Sequence, residues 1–164
     1  MGPIMVGLAL IAKKRFDSAT AYGIMFSAFA VGGLAGTLMA GMKKQRHRGI
    51  LILVVGTIIG ILLTLVGFVH SLPALCILLF LMGVTSGYSS VHITSWYQQR
   101  VEPSMMGRVM SVRMFGIFGL MPISLMIAGF LADVSLEWMF ISAGILLLLL
   151  SLVVATQRPV REID

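Results

Sequence analysis

His92 stands where an apolar span turns polar, and Thr85, Ser86, Tyr88, Ser89, Ser90, Thr94 and Ser95 surround it in the chain. Hydroxyls at this density make sense beside water or a ligand. Ser86, Tyr88, Ser89, Ser90 and His92 are therefore the candidates for a substrate cavity. An imidazole is the side chain that exchanges protons near neutral pH, so His92 is open to two readings, proton handling or plain helix packing. All six acids, Asp17, Glu102, Asp133, Glu137, Glu162 and Asp164, fall in connectors or the tail. A proton-coupled mechanism would have to take its membrane-embedded carboxylate from outside this sequence. Met106, Met110 and Met114 recur every fourth residue. Their thioethers could serve Cu(I), but flexible hydrophobes at helix contacts and in a pocket for varied apolar ligands are the better fit. No Ser or Cys shares a face with a His and an acid, so the chain is read as no enzyme. No cofactor or metal motif is expected, and Cys76, the single cysteine, reads as a small buried hydrophobe.

The elements that position these residues are set by hydropathy. Tyr22 to Met42, Gly49 to Val69, Leu72 to Val91, Val109 to Ala132 and Met139 to Thr156 are each long enough to cross a bilayer as a helix. Short connectors between them hold nearly all the charge, as hydrocarbon requires of a backbone that must satisfy its own hydrogen bonds. With 59% hydrophobic and 11% charged residues, the composition excludes a water-soluble core. The net charge of +6 does not point to nucleic acid, because basic and aromatic residues never interleave on a hydrophilic face. The basic residues sit at helix ends instead, beside lipid headgroups.

Their distribution orients the chain. Lys43, Lys44, Arg46, Arg48, Arg100, Arg108, Arg158 and Arg161 fall on one side, whereas Lys13, Lys14 and Arg15 stand alone on the other. The positive-inside rule places the first set, and the C-terminus, in the cytoplasm. Arg113 lies about one turn inside its span, where it can snorkel to that surface or pair with an acid from elsewhere. Gly2 to Ala12 is too short to span and too weakly charged in front for a signal peptide. It reads as the end of a helix begun upstream, and restoring that helix gives six.

Among these helices, Ala28, Gly32, Gly36 and Ala40 form one strip of small residues, and Gly33, Thr37 and Gly41 a parallel one. Such strips admit close helix approach, either in a rocking contact between two transporter halves or in static packing. The second and last spans are almost wholly apolar and read as lipid-facing. The third carries the hydroxyls and reads as cavity-lining. The fourth holds Gly116, Gly119 and Pro122, and a proline inside a membrane helix bends it. By hydropathy alone, the order is that of a three-plus-three repeat.

Tyr22-Gly23, the run Ala28-Phe-Ala-Val-Gly-Gly33 with Gly36, Arg100-Val-Glu-Pro103, Gly107-Arg-Val-Met-Ser111, Pro122 and Ala128-Gly-Phe-Leu-Ala-Asp133 together resemble the major facilitator superfamily. The likeness is to the C-terminal half of its enterobactin-exporter and macrolide-efflux branch, and it covers nearly the whole chain. It implies an all-α polytopic membrane fold, the C-terminal six-helix half with its first helix truncated. Residues 1–12 would be the end of helix seven, 13–157 helices eight to twelve, and 158–164 a cytoplasmic tail.

The resemblance also implies function. Helices seven and ten would line a midplane cavity, while eight and eleven meet the other half, which assigns Gly32, Gly36, Gly107, Arg108, Arg113 and Pro122 to the gate or inter-half contact. Arg108 has headgroup binding as its second reading. The partners implied are the lipid bilayer, the N-terminal half of the same transporter and a small-molecule substrate such as a drug or siderophore. The place would be a bacterial cytoplasmic membrane. The activity would be export by alternating access, absent from this half alone. Two departures stand out. The connector Gly41-Met-Lys-Lys-Gln-Arg-His-Arg-Gly49 lacks the acid of the usual superfamily signature, and Ile123 and Ser124 replace a glycine frequent after the proline. The rival reading is a self-contained homo-oligomeric membrane scaffold or channel that uses the small-residue strips between subunits.

Overall fold

The computed structural model describes residues 2–42 and 48–156. Every regular element among them is helical: α1 (Gly2–Phe16), α2 (Ala19–Met42), α3 (Arg48–Phe68), α4 (Leu72–Arg100), α5 (Met106–Gly119), α6 (Met121–Val134) and α7 (Leu136–Thr156). The stretches Ala19–Met42, Leu72–Arg100, Met106–Leu131 and Leu136–Val153 are long and apolar enough to cross a bilayer. The remaining expected span falls on α3, a 21-residue helix whose apolar stretch Leu53–Phe68 is shorter. Lys43, Lys44 and Arg46 of the expected basic connector, and Arg158 and Arg161 of the expected tail, lie outside the described residues.

Two helices run past their expected ends for the same reason. Hydropathy marks where lipid stops, not where helix stops. α1 continues through Lys13, Lys14 and Arg15 to Phe16, and α4 continues nine residues beyond Val91 to Arg100. The α1–α2 turn is closed by Asp17 in the left-handed region, at φ 44°, and by the Ser18 N–H donating to the Ala12 carbonyl at 3.2 Å. A left-handed residue just past the last turn is a common helix end, and a short polar side chain tolerates the conformation, while the Ser18 bond reaches one residue further back than the usual C-cap bond.

In lipid there is no hydrophobic force between helices, so close packing must hold them. α2 packs on α4 through backbone. A Cβ on Gly32 would overlap the Phe80 carbonyl oxygen, and one on Gly36 would overlap that of Val84 and lie 2.9 Å from the Tyr88 nitrogen. The contact is reciprocal, because a Cβ on Gly83 would overlap the Phe29 carbonyl oxygen and one on Gly87 that of Gly33. The strip containing Gly32 and Gly36 is therefore engaged inside the chain, with α4. A second tight pair joins α3 and α7, where a Cβ on Gly144 would overlap the Thr64 hydroxyl, and where the Thr57 and Ser151 hydroxyls share a 3.2 Å hydrogen bond.

The apolar core gathers at one end. Ile11, Met25, Val66, Leu75, Leu79 and Met82 are fully buried there. Above that core sits Arg15, only 11% exposed, whose guanidinium donates to the Val69 carbonyl at 2.5 Å and to that of Gly67 at 2.9 Å. These are carbonyls left without partners where α3 ends, and a cation at that pole is favoured by the helix dipole. Glu137 at the start of α7 lies 3.7 Å from Arg15 and 3.2 Å from the His70 Nε2. One arginine thus ties together the ends of α1, α3 and α7.

Gly36→Ala should lower stability in detergent by about 1–3 kcal/mol, the usual range for forcing extra volume into a packed contact. Gly41→Ala, where a Cβ meets nothing within 4 Å, should be neutral or mildly stabilising. Equal melting temperatures for the two variants would remove the α2–α4 contact from its central place. Arg15→Gln should cost about 2 kcal/mol in the same melts, because it strands α3 carbonyls. Glu137→Gln should change little, since that carboxylate is half exposed; a larger loss from Glu137 than from Arg15 would reverse the assignment.

Candidate functional site

α4 has 29 residues, about 43 Å at 1.5 Å per residue, enough to reach both headgroup regions. It starts with Pro73 in its first turn, where a missing N–H is harmless. Pro103 ends it by disfavouring helical backbone before it, and Val101 turns extended while its N–H still reaches the Tyr97 carbonyl at 2.9 Å.

Along the second half of α4 the candidate cavity residues separate into groups. Ser89 is buried and its hydroxyl donates to the Ser86 carbonyl at 3.0 Å, while Thr85 donates to the Leu81 carbonyl at 2.8 Å. These hydroxyls satisfy their own helix. Ser86 is half-buried and Ser90 exposed, so both retain hydroxyls a ligand can reach. The Tyr88 and His92 rings pack edge to face, 4.6 Å between centroids. One turn on, Trp96 meets Tyr97 edge to face at 5.2 Å, and the Arg100 guanidinium lies 6.0 Å from the Trp96 ring centroid. The Trp96 indole nitrogen is buried with no hydrogen-bond partner among the described residues.

The α4–α5 corner completes the arrangement. Arg113, half-buried on α5, places its guanidinium 5.5 Å from the Tyr97 ring centroid, a cation–π distance, and approaches the Met110 sulfur at 4.0 Å. Tyr97, Arg108, Val109, Val112 and Arg113 line a cleft of about 370 Å³. Gly107 lies in open space and Arg108 is exposed beside it. Arg108 and Arg113 are thus brought together with α4. Gly32 and Gly36 face a different stretch of α4, nearer its middle, and Pro122 is exposed at the start of α6.

The fourth expected span is broken. Pro122 has no N–H to offer the Phe118 carbonyl and its ring would clash with it. That carbonyl accepts instead from Leu120, where α5 stops and α6 begins. α5 buries none of its residues, and Val112, Phe115, Met126 and Phe130 on α5 and α6 are each at least 74% exposed.

Trp96, Tyr97 and Arg100 are absent from the sequence-based candidates. Their signal was present in the i, i+4, i+8 spacing of Tyr88, His92 and Trp96, which puts three rings on one helix face. Among the described residues, no group of three or more His, Cys, Asp or Glu is placed to hold a metal.

Spanning helices joined by short connectors, a proline-broken span, and polar and aromatic side chains drawn along one helix define a multi-pass membrane protein with the build of a transporter. The chain belongs to the Major Facilitator Superfamily, whose family model matches residues 1–163. It is 29% identical over 148 residues to the multidrug efflux pump Tap of Mycolicibacterium fortuitum, covering 88% of this chain and 36% of that protein. It is 26% identical over 170 residues to macrolide efflux protein A of Streptococcus pyogenes, covering 99% of this chain and 41% of that protein. The chain therefore spans about two-fifths of the length of the curated relatives it matches. No solved structure is significantly similar.

Pro122→Ala restores the missing donor, so the break should close into one helix. Amide hydrogen exchange at residues 119–123 should then slow at least several-fold relative to the parent protein. Unchanged exchange there would mean that packing, and not the proline, sets the break.

Proposed function

We propose that this chain is the C-terminal part of a secondary active exporter of small, partly apolar molecules, working by alternating access. The observation that carries this reading is an end-to-end likeness to macrolide efflux protein A at about two-fifths of that protein's length, together with a helix bearing accessible hydroxyls and rings. In the proposed arrangement the α4–α5 corner faces the cytoplasm, as the basic residues require. Ser86, Ser90, Tyr88 and His92 contact substrate, with Ser89 holding the helix around them.

The exposed face of α5 and α6 then meets the N-terminal half of the complete transporter. Apolar side chains on both sides of the Pro122 break form that surface, and Gly107, Arg108 and Arg113 stand at its cytoplasmic rim, where a gate would close. Transport by rocking of two halves needs both of them, so the chain alone binds into membranes without exporting. Any coupling acid belongs to the other half, since the described spans place no carboxylate near His92.

Expression of the complete gene in an efflux-deficient bacterium should raise resistance to macrolides or to dyes at least fourfold, and the 164-residue chain alone should give none. Tyr88→Ala in the complete protein should cut export several-fold at equal membrane abundance, through loss of a stacking ring. Resistance conferred by the chain alone would favour a self-contained oligomer and defeat the half-transporter reading. Unaltered accumulation of every compound tested with the complete protein would defeat export itself.

A further inference from the structure

The cleft at the α4–α5 corner has a composition that neither helix packing nor the substrate path requires. Two guanidiniums, Arg108 and Arg113, stand at one cleft of about 370 Å³, within the ordinary range of roughly 300–1,000 Å³ for ligand sites. Among the described residues neither has a carboxylate partner, and the described polar contact of Arg113 is a thioether at 4.0 Å. The Tyr97 ring at 5.5 Å steadies the Arg113 guanidinium without neutralising it. Positive charge held in place with no ion-pair partner among the described residues, the connector's Glu102 included, can accept an external anion.

The walls narrow the choice of anion. Val109, Val112 and Tyr97 supply apolar surface next to the two cations. A soluble phosphate gains nothing from valine side chains, whereas an amphiphile places its anionic group on the arginines and its chain along the valines. Arginine suits this task because its planar fork matches phosphate oxygens. The depth fits as well. Arg113 lies five residues beyond Arg108, about 7.5 Å further along α5 at the backbone, and both side chains still line the one cleft. Trp96 and Tyr97 stand at the same level, where aromatic rings gather at membrane interfaces.

The geometry points to a bound phospholipid: the α4–α5 corner takes the phosphate of an anionic lipid on Arg108 and Arg113, with its acyl chain along Val109 and Val112. This rests on the proposed orientation, which puts the corner at the cytoplasmic leaflet where anionic lipid is available. The lipid then occupies the rim of the proposed gate, and its charge takes the place of the carboxylate that the described residues do not bring to either arginine.

Native mass spectrometry of the complete detergent-solubilised protein tests the site directly, with phosphatidylglycerol, phosphatidylcholine and inorganic phosphate as probes. Phosphatidylglycerol should be retained in preference to phosphatidylcholine. Arg108→Gln with Arg113→Gln should weaken retention at least tenfold, from about fivefold per guanidinium near an anionic surface. The paired Arg→Lys variant, which keeps the charge and loses the fork, should bind more weakly than the parent and more tightly than the double glutamine variant, and size-exclusion profiles should show all variants folded. Equal retention by the double glutamine variant would overturn the site. Displacement of the lipid by millimolar inorganic phosphate would assign the site to a soluble anion and overturn the lipid. Export plays no part in this readout, so failure of the exporter reading leaves it standing. The orientation is read separately, by an impermeant maleimide on Ser104→Cys in a Cys76→Ala background: labelling only after the membrane is opened places the corner inside, and labelling of intact cells overturns the leaflet assignment.

Discussion

Lipid offers helices no solvent to escape from, so what holds α2 to α4 has to come from close approach of their backbones. That approach is possible only where side chains are missing. Gly32 and Gly36 meet the carbonyls of Phe80 and Val84, and Gly83 and Gly87 meet those of Phe29 and Gly33. Because the contact uses glycines from both helices, it fixes the rotation of α4 as well as its distance. With that rotation set, Ser89 is buried, while Ser90 is exposed and Ser86, Tyr88 and His92 remain half-buried. The site on α4 is thus a consequence of which face the glycines take.

Packing is uneven along the bundle. The fully buried side chains cluster towards the end where Arg15 bonds the α3 carbonyls and Glu137 approaches from α7. Towards the opposite end α5 has no buried residue, and its link to α4 includes a guanidinium above a tyrosine ring. A structure closed by a core at one end and joined by polar and aromatic contacts at the other has its compliance where the second set lies, because small cation–π contacts are weaker than an interdigitated core.

Much of this was legible in the residues. The spans follow from uninterrupted apolar runs, and a bend at Pro122 follows from a missing N–H, although the fold goes further and separates α5 from α6 there. The rest escaped for physical reasons. Small residues at every fourth position announce a close contact without naming the partner, and the neighbour that Gly32 and Gly36 meet within the chain is α4. Helix ends at α1 and α4 escaped because Lys13 to Arg15 and His92 to Arg100 are polar yet compatible with helix, and hydropathy sees only the first property. The Arg15 cluster escaped because its partners are backbone carbonyls 51 to 54 residues away, which have no residue-type signature at all.

Hydroxyl content in a membrane helix is a weaker sign of a cavity than it first looks. Thr57, Thr64, Thr85 and Ser89 each bond a carbonyl of the preceding turn, and two of these lie in α3, a helix with no claim to a cavity. A serine or threonine can be polar in sequence and already satisfied in the fold. Rings cannot hide in that way, because an aromatic side chain is too large to be satisfied by one carbonyl of its own turn. The discriminating feature of α4 is therefore the succession Tyr88, His92, Trp96 and Tyr97, ending at Arg100 and Arg113. That succession separates α4 from α3 and α7, and it leads from the middle of the helix to the corner where Arg108 and Arg113 stand.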